Sequence, residues 1–391
     1  MIRADVAVVG GGMVGAALAT LLAEGGLEVA VIEPVPPRPP DETLDLRVSA
    51  IAPASRTLLA ALGAWEPLAA QACAYTAMEV WDGVGDGRVR FTADEAGVPE
   101  LGHIVENRAI QHALWLRLGE LPGARRLAPA RVAGLLVCGA TAQLELEDGR
   151  LVEAALVVAA DGARSRVRGW AGLDSVGWDY GQKTIVGNLR TAEPHGDACW
   201  QRFLPTGPVA FLPLADGRCS LAWHATRDYA DHLLALDDAA FAAELEVASG
   251  GALGTIEELG PRGAFPLRLQ HALRYVAPRV ALVGDAAHAI HPLAGQGVNL
   301  GFRDVRALGE RLLEGSAGGR DPGDLALLRD YEQARLPDNG AMLLAMDAFK
   351  KGFGTAAAPL RRLRNLGLDA AHRAGPLKRA VMRRAMGLEP G

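Results

Sequence analysis

The sequence predicts a mixed α/β protein: a nucleotide-binding domain assembled from separated segments, interrupted by a β-rich domain and closed by a helical C-terminus. Three observations predict it. Residues 4–33, "ADVAVVGGGMVGAALATLLAEGGLEVAVIE", read as strand, glycine turn, helix and strand. Two later strand-like runs, "LVVAADGARSRVR" (156–168) and "VALVGDAAHAIHPLAGQGVNLGFRDV" (280–305), also end in an aspartate beside a glycine. Between residues 183 and 268 the pattern is mainly strand-like, broken by Pro and Asp-Gly turns.

Taken in order, Val6 to Val9 are a β-branched run, Ala16 to Leu22 are strong helix formers, Gly25-Gly26 ends the helix, and Val29 to Ile32 give a second strand. The loop "PVPPRPPDE" cannot enter a sheet interior. Residues 47–70 read as helix, with Leu58, Leu59, Leu62 and Leu68 as its apolar stripe. Met78 to Val98 read as strands and turns, "IQHALWLRLGEL" (110–121) as a helix, and short strands flank "EDG" at 147–149. Beyond residue 305 helices dominate, and there is no internal repeat.

With 391 residues, 50% of them apolar and 22% charged, the chain is long enough for two packed domains. A net charge of −6 and the absence of basic stretches interleaved with aromatics argue against a nucleic-acid partner. The charge is uneven: residues 350–391 hold ten Lys/Arg against Asp369 and Glu389, a net of +8, which leaves about −14 elsewhere. Cys73, Cys138, Cys199 and Cys219 show no C-x-x-C spacing, which suits reduced thiols in a cytoplasmic protein, and no metal is expected. Neither a signal peptide nor an apolar run long enough to span a bilayer is read.

Gly10-Gly11-Gly12-Met13-Val14-Gly15 is a G-x-G-x-x-G fingerprint between strand and helix, and Glu33 follows the second strand. Gly10 permits the tight turn, Gly12 lets a pyrophosphate approach the backbone, and Gly15 allows helix and strand to pack closely. The phosphates meet the positive helix N-terminus and Glu33 accepts from a ribose hydroxyl. These residues do not by themselves separate FAD from NAD. Asp161-Gly162 reads either as a surface turn or as a second cofactor contact.

The second strand end decides between them by resemblance, and the third run carries that resemblance further. "GDAAHAIHPLAGQGVNLGFRDV" resembles the second FAD motif of the para-hydroxybenzoate hydroxylase-like (group A) flavoprotein monooxygenases. "VVAADGARSRVR" resembles their Asp-Gly segment. The resemblance implies an FAD-binding, Rossmann-like domain of the glutathione-reductase type. Gly284 and Asp285 would hold the ribityl chain, Pro292 would lie beside the isoalloxazine, and Gly297, Val298 and Asn299 would turn backbone N–H groups toward the flavin N1/O2 edge. It also places Asp161 near the pyrophosphate.

Further segments resemble a narrower family, the FAD-dependent hydroxylases of ubiquinone biosynthesis. They are "DLRVSAIAPASRTLLAALGAW", "LGHIVENRAIQHALWLRL", "WQRFLPTGPVAFLPLADGRCSLAW", "GAFPL", "YEQARLPDNGAML" and "GPLKRAVMRRAMGL", which together cover nearly the whole chain. This resemblance puts Arg47, Arg108 and Gln111 beside the cofactor. It implies FAD-binding segments 1–76, 104–179 and 272–345, a β-rich substrate domain over 77–103 and 180–271, and a basic helical region over 346–391. It also implies NAD(P)H and O2 as cosubstrates and hydroxylation of a polyprenyl phenol through a flavin C4a-hydroperoxide.

Catalytic candidates at the flavin edge are His291, Pro292 and Gly295, with Gln296 beside them, whereas His288 is read as support for the turn. Phe203, Phe211, Leu212, Leu214 and Trp223 are candidates for a substrate wall or plain core. The basic tail is either an amphipathic interfacial helix pair making peripheral contact with the inner face of a membrane or a charged face packed on the body. Other ubiquinone-biosynthesis proteins or a second copy are expected partners. Competing readings are hydroxylation of a small soluble aromatic acid anchored by Arg190, Arg202 or Arg218, and a flavin reductase without ring hydroxylation.

Overall fold

In the computed structural model, residues 1–40, 45–289, 297–353 and 375–388 are described. The glycine fingerprint sits in a sheet whose central strands run parallel in the order Val280–Leu282, Leu151–Ala159, Ile2–Val9, Val29–Ile32 and Ala124–Leu127. Such strands are buried on both faces, and here Val6–Val9, Leu156–Ala159, Val29–Ile32 and Val280–Leu282 are runs of Val, Ile, Leu and Ala at 7% exposure or less. Helices Met13–Glu24, Asn107–Glu120 and Gly297–Ala317 share this core.

Strand Leu151–Ala159 has two different neighbours along one edge. Its first half pairs antiparallel with Thr141–Leu146, and its second half pairs parallel with Val280–Leu282. The register sets Ile32, Val9, Ala159 and Leu282 abreast. Glu33, Gly10, Asp161 and Gly284-Asp285 therefore emerge at one sheet edge, the carboxyl end where open α/β sheets bind ligands.

A second sheet has the order His288–Ala289, Ile256–Ala272, Ser175–Thr191, Cys219–Thr226, Gly207–Pro213, Ala198–Leu204, Ala77–Asp82 and Arg88–Thr92. Its first strand follows Asp285 by only three residues, so the chain passes from the cofactor-type sheet straight into the other. Helices Arg227–Ala235 and Asp238–Ser249 pack on this sheet around Trp223 and Phe241, whose rings meet edge-on at 5.8 Å. The mainly strand-like reading of residues 183–268 named neither helix. Their signals are Asp237, which caps the second helix by accepting from Ala240 N at 2.8 Å, and the Ala/Leu/Glu run that follows.

The helix read over 47–70 is also corrected. Val48–Ile51 is a strand paired with Gly102–Glu106, and helix begins only at Pro53, where a missing N–H costs nothing. The β-branched ends of "VSAI" and a partner some 55 residues away outweigh the helical pattern downstream.

The basic tail is partly docked. Helix Gly375–Ala385 buries Lys378, whose Nζ donates to both Glu95 carboxylate oxygens at 2.7 Å and to Arg90 O at 2.6 Å. Met382 and Met386 enter a cluster with Ala50, Tyr75 and Ile104. One tail cation is thus an internal ion pair rather than surface charge. Lys378→Ala is expected to weaken helix docking by roughly 1–3 kcal/mol, the cost of removing a buried charged hydrogen-bond partner. Amide exchange over 375–385 should accelerate while the central parallel strands stay protected, and unchanged exchange there would contradict the anchoring.

Candidate functional site: a glycine-lined cleft at three strand ends

Each glycine of the fingerprint has a different geometric reason. Gly10 has φ +106°, and a Cβ there would lie 2.3 Å from Ala160 O. At Gly15 a Cβ would lie 2.0 Å from Gly10 O, so only glycine lets the helix approach the turn. At Gly12 a Cβ would meet nothing within 4 Å: the space beside it is open. The helix behind it starts without a side-chain cap or an acidic residue in its first turn, so its N–H groups and positive end face that space.

Glu33 closes one side. Its carboxylate accepts from Gly11 N at 2.6 Å and Val35 N at 3.0 Å, which fixes it under the turn with lone pairs to spare. Gln111 Nε2 donates to Gly11 O at 2.9 Å from helix Asn107–Glu120. Arg108 lies three residues earlier on that helix, and its backbone N–H donates to Asp45 Oδ2 at 3.1 Å. Asp45 Oδ1 accepts from Arg47 N at 3.1 Å, so one carboxylate joins the segments carrying Arg47 and Arg108. Nothing in the sequence pattern signalled Asp45. The Arg47 guanidinium stands 5.2 Å from the centre of the Phe265 ring, which belongs to the second sheet.

At the second strand end, Asp161 Oδ2 accepts from Arg166 N at 2.8 Å and Val167 N at 3.2 Å. Its Oδ1 is buried with no hydrogen-bond partner among the described residues. Arg168, 8% exposed, donates to Ala286 O at 2.8 Å and Ala163 O at 3.0 Å, binding the second strand end to the third.

The third strand end is held from behind. Asp304 has no solvent exposure, and its Oδ2 accepts from Gly284 N at 3.0 Å and faces His288 Nε2. Its Oδ1 accepts from Arg335 Nε at 2.9 Å and Asn339 Nδ2 at 3.2 Å. Burial would raise the Asp304 carboxyl, but His288 and Arg335 outweigh it and hold the group below the usual carboxylate range. His288 therefore supports the turn, as its position suggested.

Asp285 points the other way, exposed along the cleft yet deep in the protein mass. Desolvation pushes its carboxyl up, opposed by His288 and Arg47. Val14 explains two further glycines: a Cβ at Gly284 would approach it to 3.2 Å and one at Gly301 to 2.5 Å. Met13 and Val14 are half-buried.

Helix Gly297–Ala317 begins at this cleft with Val298 half-buried and no acidic residue in its first turn. The Asn299 side chain turns inward, donating to Ala50 O at 2.7 Å and accepting from Ala52 N at 2.9 Å. It fixes the segment after Arg47 rather than facing the cleft, and only its backbone remains as the expected contact. His291, Pro292, Gly295 and Gln296 lie outside the described residues.

Other candidates are resolved by packing. Trp223, Phe211 and Phe203 are core residues at 4% exposure or less. Arg190 pairs with Glu258, Arg218 with Asp216, and Arg202 binds the carbonyls of Val247, Ala248 and Gly83. Each of the three is therefore engaged. Cys73, His195 and Asp197 come together unannounced by sequence spacing, but His195 Nδ1 accepts from Asp197 N at 3.1 Å and Nε2 faces Leu214 O. Burial, with Asp197 and Asp216, pushes the Cys73 thiol up to about 11.

An uncapped helix N-terminus facing open space, an orphaned aspartate oxygen and a second aspartate in the cleft together fit a long phosphate-and-ribose cofactor. The model of the FAD binding domain family matches residues 3–344. This chain belongs to that family. It is 43% identical over 387 residues to the 3-demethoxyubiquinol 3-hydroxylase of Escherichia coli, covering 98% of both chains. It is 45% identical over 389 residues to ubiquinone hydroxylase UbiL of Rhodospirillum rubrum, covering 98% of this chain and 90% of that one. Among solved structures of the fold, p-nitrophenol 4-monooxygenase PnpA from Pseudomonas putida superposes with a TM-score of 0.79 at 20% identity, over 99% of this chain and 97% of that one. The family's cofactor, FAD, is the dinucleotide for which the cleft has to be judged.

Two outcomes test the site. Gly12→Val is expected to fold normally, because its side chain enters open space, yet to bind FAD about 100-fold more weakly, about 2.8 kcal/mol. Titration of flavin fluorescence reads this, and undiminished affinity would remove the phosphates from that space. For Asp304, a folded-state pKa below the unfolded value contributes stability above the unfolded pKa that is lost as pH falls through the folded one. Asp304→Asn should cost roughly 1–3 kcal/mol at neutral pH by removing the charge shared by Gly284 N, His288 and Arg335, with Arg335 keeping Asp338, and should flatten the acid limb of stability measured by urea unfolding.

Proposed function

We propose that the protein is an FAD-dependent aromatic hydroxylase that uses NAD(P)H and O2 to hydroxylate the ring of a polyprenyl phenol or benzoquinol in ubiquinone biosynthesis. The observation that carries this reading is whole-length kinship at 43–45% identity with two ubiquinone hydroxylases, joined to a cleft whose geometry suits FAD. Bound FAD supplies the oxygen activation, and the chain's residues supply binding, orientation and shielding.

Gly10, Gly12, Gly15 and the N–H groups of Met13 and Val14 cradle the pyrophosphate. Glu33 takes the ribose, with Arg108 and Gln111 flanking the turn. Asp161 and Asp285 take hydroxyl and phosphate-side donors, and Gly284 allows the close approach. Gly297, Val298 and Asn299 offer backbone N–H groups at a helix N-terminus, where developing negative charge on the ring is stabilised. His291, Pro292 and Gly295 are assigned to the edge where substrate meets the ring.

Segments 1–76, 104–179 and 272–345 hold the cofactor, while 77–103 and 180–271 wall the substrate side. Arg47 over Phe265 spans the two. Arg202 is taken up by the carbonyls of Val247, Ala248 and Gly83, which weighs against it as the carboxylate anchor of a small aromatic acid. No helix among the described residues is long and apolar enough to cross a membrane. We place the protein in the cytoplasm, touching the inner membrane face through 350–391 and working with a second copy or with other enzymes of the pathway.

The test is deletion of the gene in its host with mass spectrometry of extracted quinones. A prenylated intermediate short of one hydroxyl should accumulate, restored by the wild-type gene and not by Asp285→Ala. Normal quinone content in a host with no second hydroxylase would refute the role.

A further inference from the structure

Between the C-terminal helix Gly375–Ala385 and helices Pro53–Ala61 and Gly297–Ala317 runs a groove of about 610 Å3. Its floor is apolar, with Leu58, Phe302 and Val381, and its rim carries Arg303, Arg306 and Arg384. The lining holds one carboxylate, Asp338. That group already accepts from Arg335 at 2.6 Å, closer than Arg303 at 3.9 Å or Arg384 at 3.8 Å, so it neutralises neither rim cation well. Arg303 is fixed, donating to Arg384 O at 3.0 Å and Ala385 O at 3.2 Å across the end of the C-terminal helix. Arg306 and Arg384 are 68% and 77% exposed, and among the described residues they pair with exposed Glu310 at 2.8 Å and with half-buried Asp338 at 3.8 Å. Such pairs contribute about 0–1 kcal/mol and yield readily to a better acceptor.

We propose that this groove binds the anionic headgroup of a membrane phospholipid. A phosphodiester offers planar guanidinium forks several acceptor oxygens at once, and the glycerol and first acyl carbons meet the apolar floor. Lys378, Met382 and Met386 are committed to the body, while Arg379, Val381 and Arg384 are exposed. The charge distribution points the same way, with +8 over residues 350–391 against about −14 elsewhere, so an anionic surface attracts this end and repels the rest.

The inference deepens the membrane contact proposed above, but it is read without turnover, so the two fail separately. The FAD-loaded full chain is co-sedimented with phosphatidylcholine vesicles, with and without phosphatidylglycerol. Binding should require phosphatidylglycerol, weaken with salt, and fall about tenfold or more in the double variant Arg306→Gln/Arg384→Gln, at about 1 kcal/mol per arginine. The control double variant Arg3→Gln/Arg150→Gln, remote from the groove, should bind as wild type, and all three proteins should keep their flavin. Equal binding to both vesicle types, binding to neither, or full binding by the groove variant would overturn the proposal. An equal loss in the control would reduce the effect to net charge. Displacement by inorganic phosphate at millimolar concentration would make the groove a small-anion site instead.

Discussion

The cleft depends on one buried carboxylate. Asp304 has no water contact and draws four groups to itself: the backbone N–H of Gly284, the imidazole of His288, the guanidinium of Arg335 and the amide of Asn339. Isolated, it would be a large penalty, and so would Arg335. Together they fix a turn whose own anchor is the His288 imidazole, while Asp285 beside it stays exposed. Val14 presses the same point from the neighbouring helix, which is why Gly284 and Gly301 cannot carry a Cβ.

Much of this was legible in the sequence because cofactor-binding strand ends have local signatures. Three apolar runs, one ending in glycines and two in an aspartate beside a glycine, announced three strands whose tips would meet, and the registers of Val9, Ala159 and Leu282 show that they do. Glu33 and Asp161 were legible as strand-end acids, whereas Gln111, on a helix, was placed only by the family resemblance. What was missed is non-local. The strand Val48–Ile51 exists because Gly102–Glu106 pairs with it, and its first half-turn of sequence reads equally well as helix. Asp45 and Arg335 do their positioning through partners 63 and 31 residues away, and no spacing rule reaches that far. For Asn299 the reading concerned its backbone N–H; its side chain has a separate task that no pattern announced, holding the chain at Ala50 and Ala52.

The two sheets divide the chemistry between them. The parallel sheet offers glycine backbone, helix N-termini and aspartates, which suit phosphates and sugars. The second sheet packs Trp223 against Phe241 of a covering helix, leaves Trp178 and Phe265 exposed, and holds Arg190 and Arg218 in ion pairs with Glu258 and Asp216. Arg47, stacked on Phe265, is the cation that crosses from one sheet's territory to the other's.

The forked pairing of strand Leu151–Ala159 has a consequence for biosynthesis. Its first half finds a hairpin neighbour a few residues upstream, but its second half must wait for Val280–Leu282, more than 120 residues later. Until the ribosome has made that segment and helix Gly297–Ala317 behind it, the nascent chain has two of its three strand tips and an unfilled slot in the sheet. Contacts of such sequence separation close slowly. Five of the second sheet's eight strands are encoded between Leu151–Ala159 and Val280–Leu282 and two before them, so most of that sheet is synthesised before the slot can be filled, and cofactor can be captured only by a chain that has already made most of both layers.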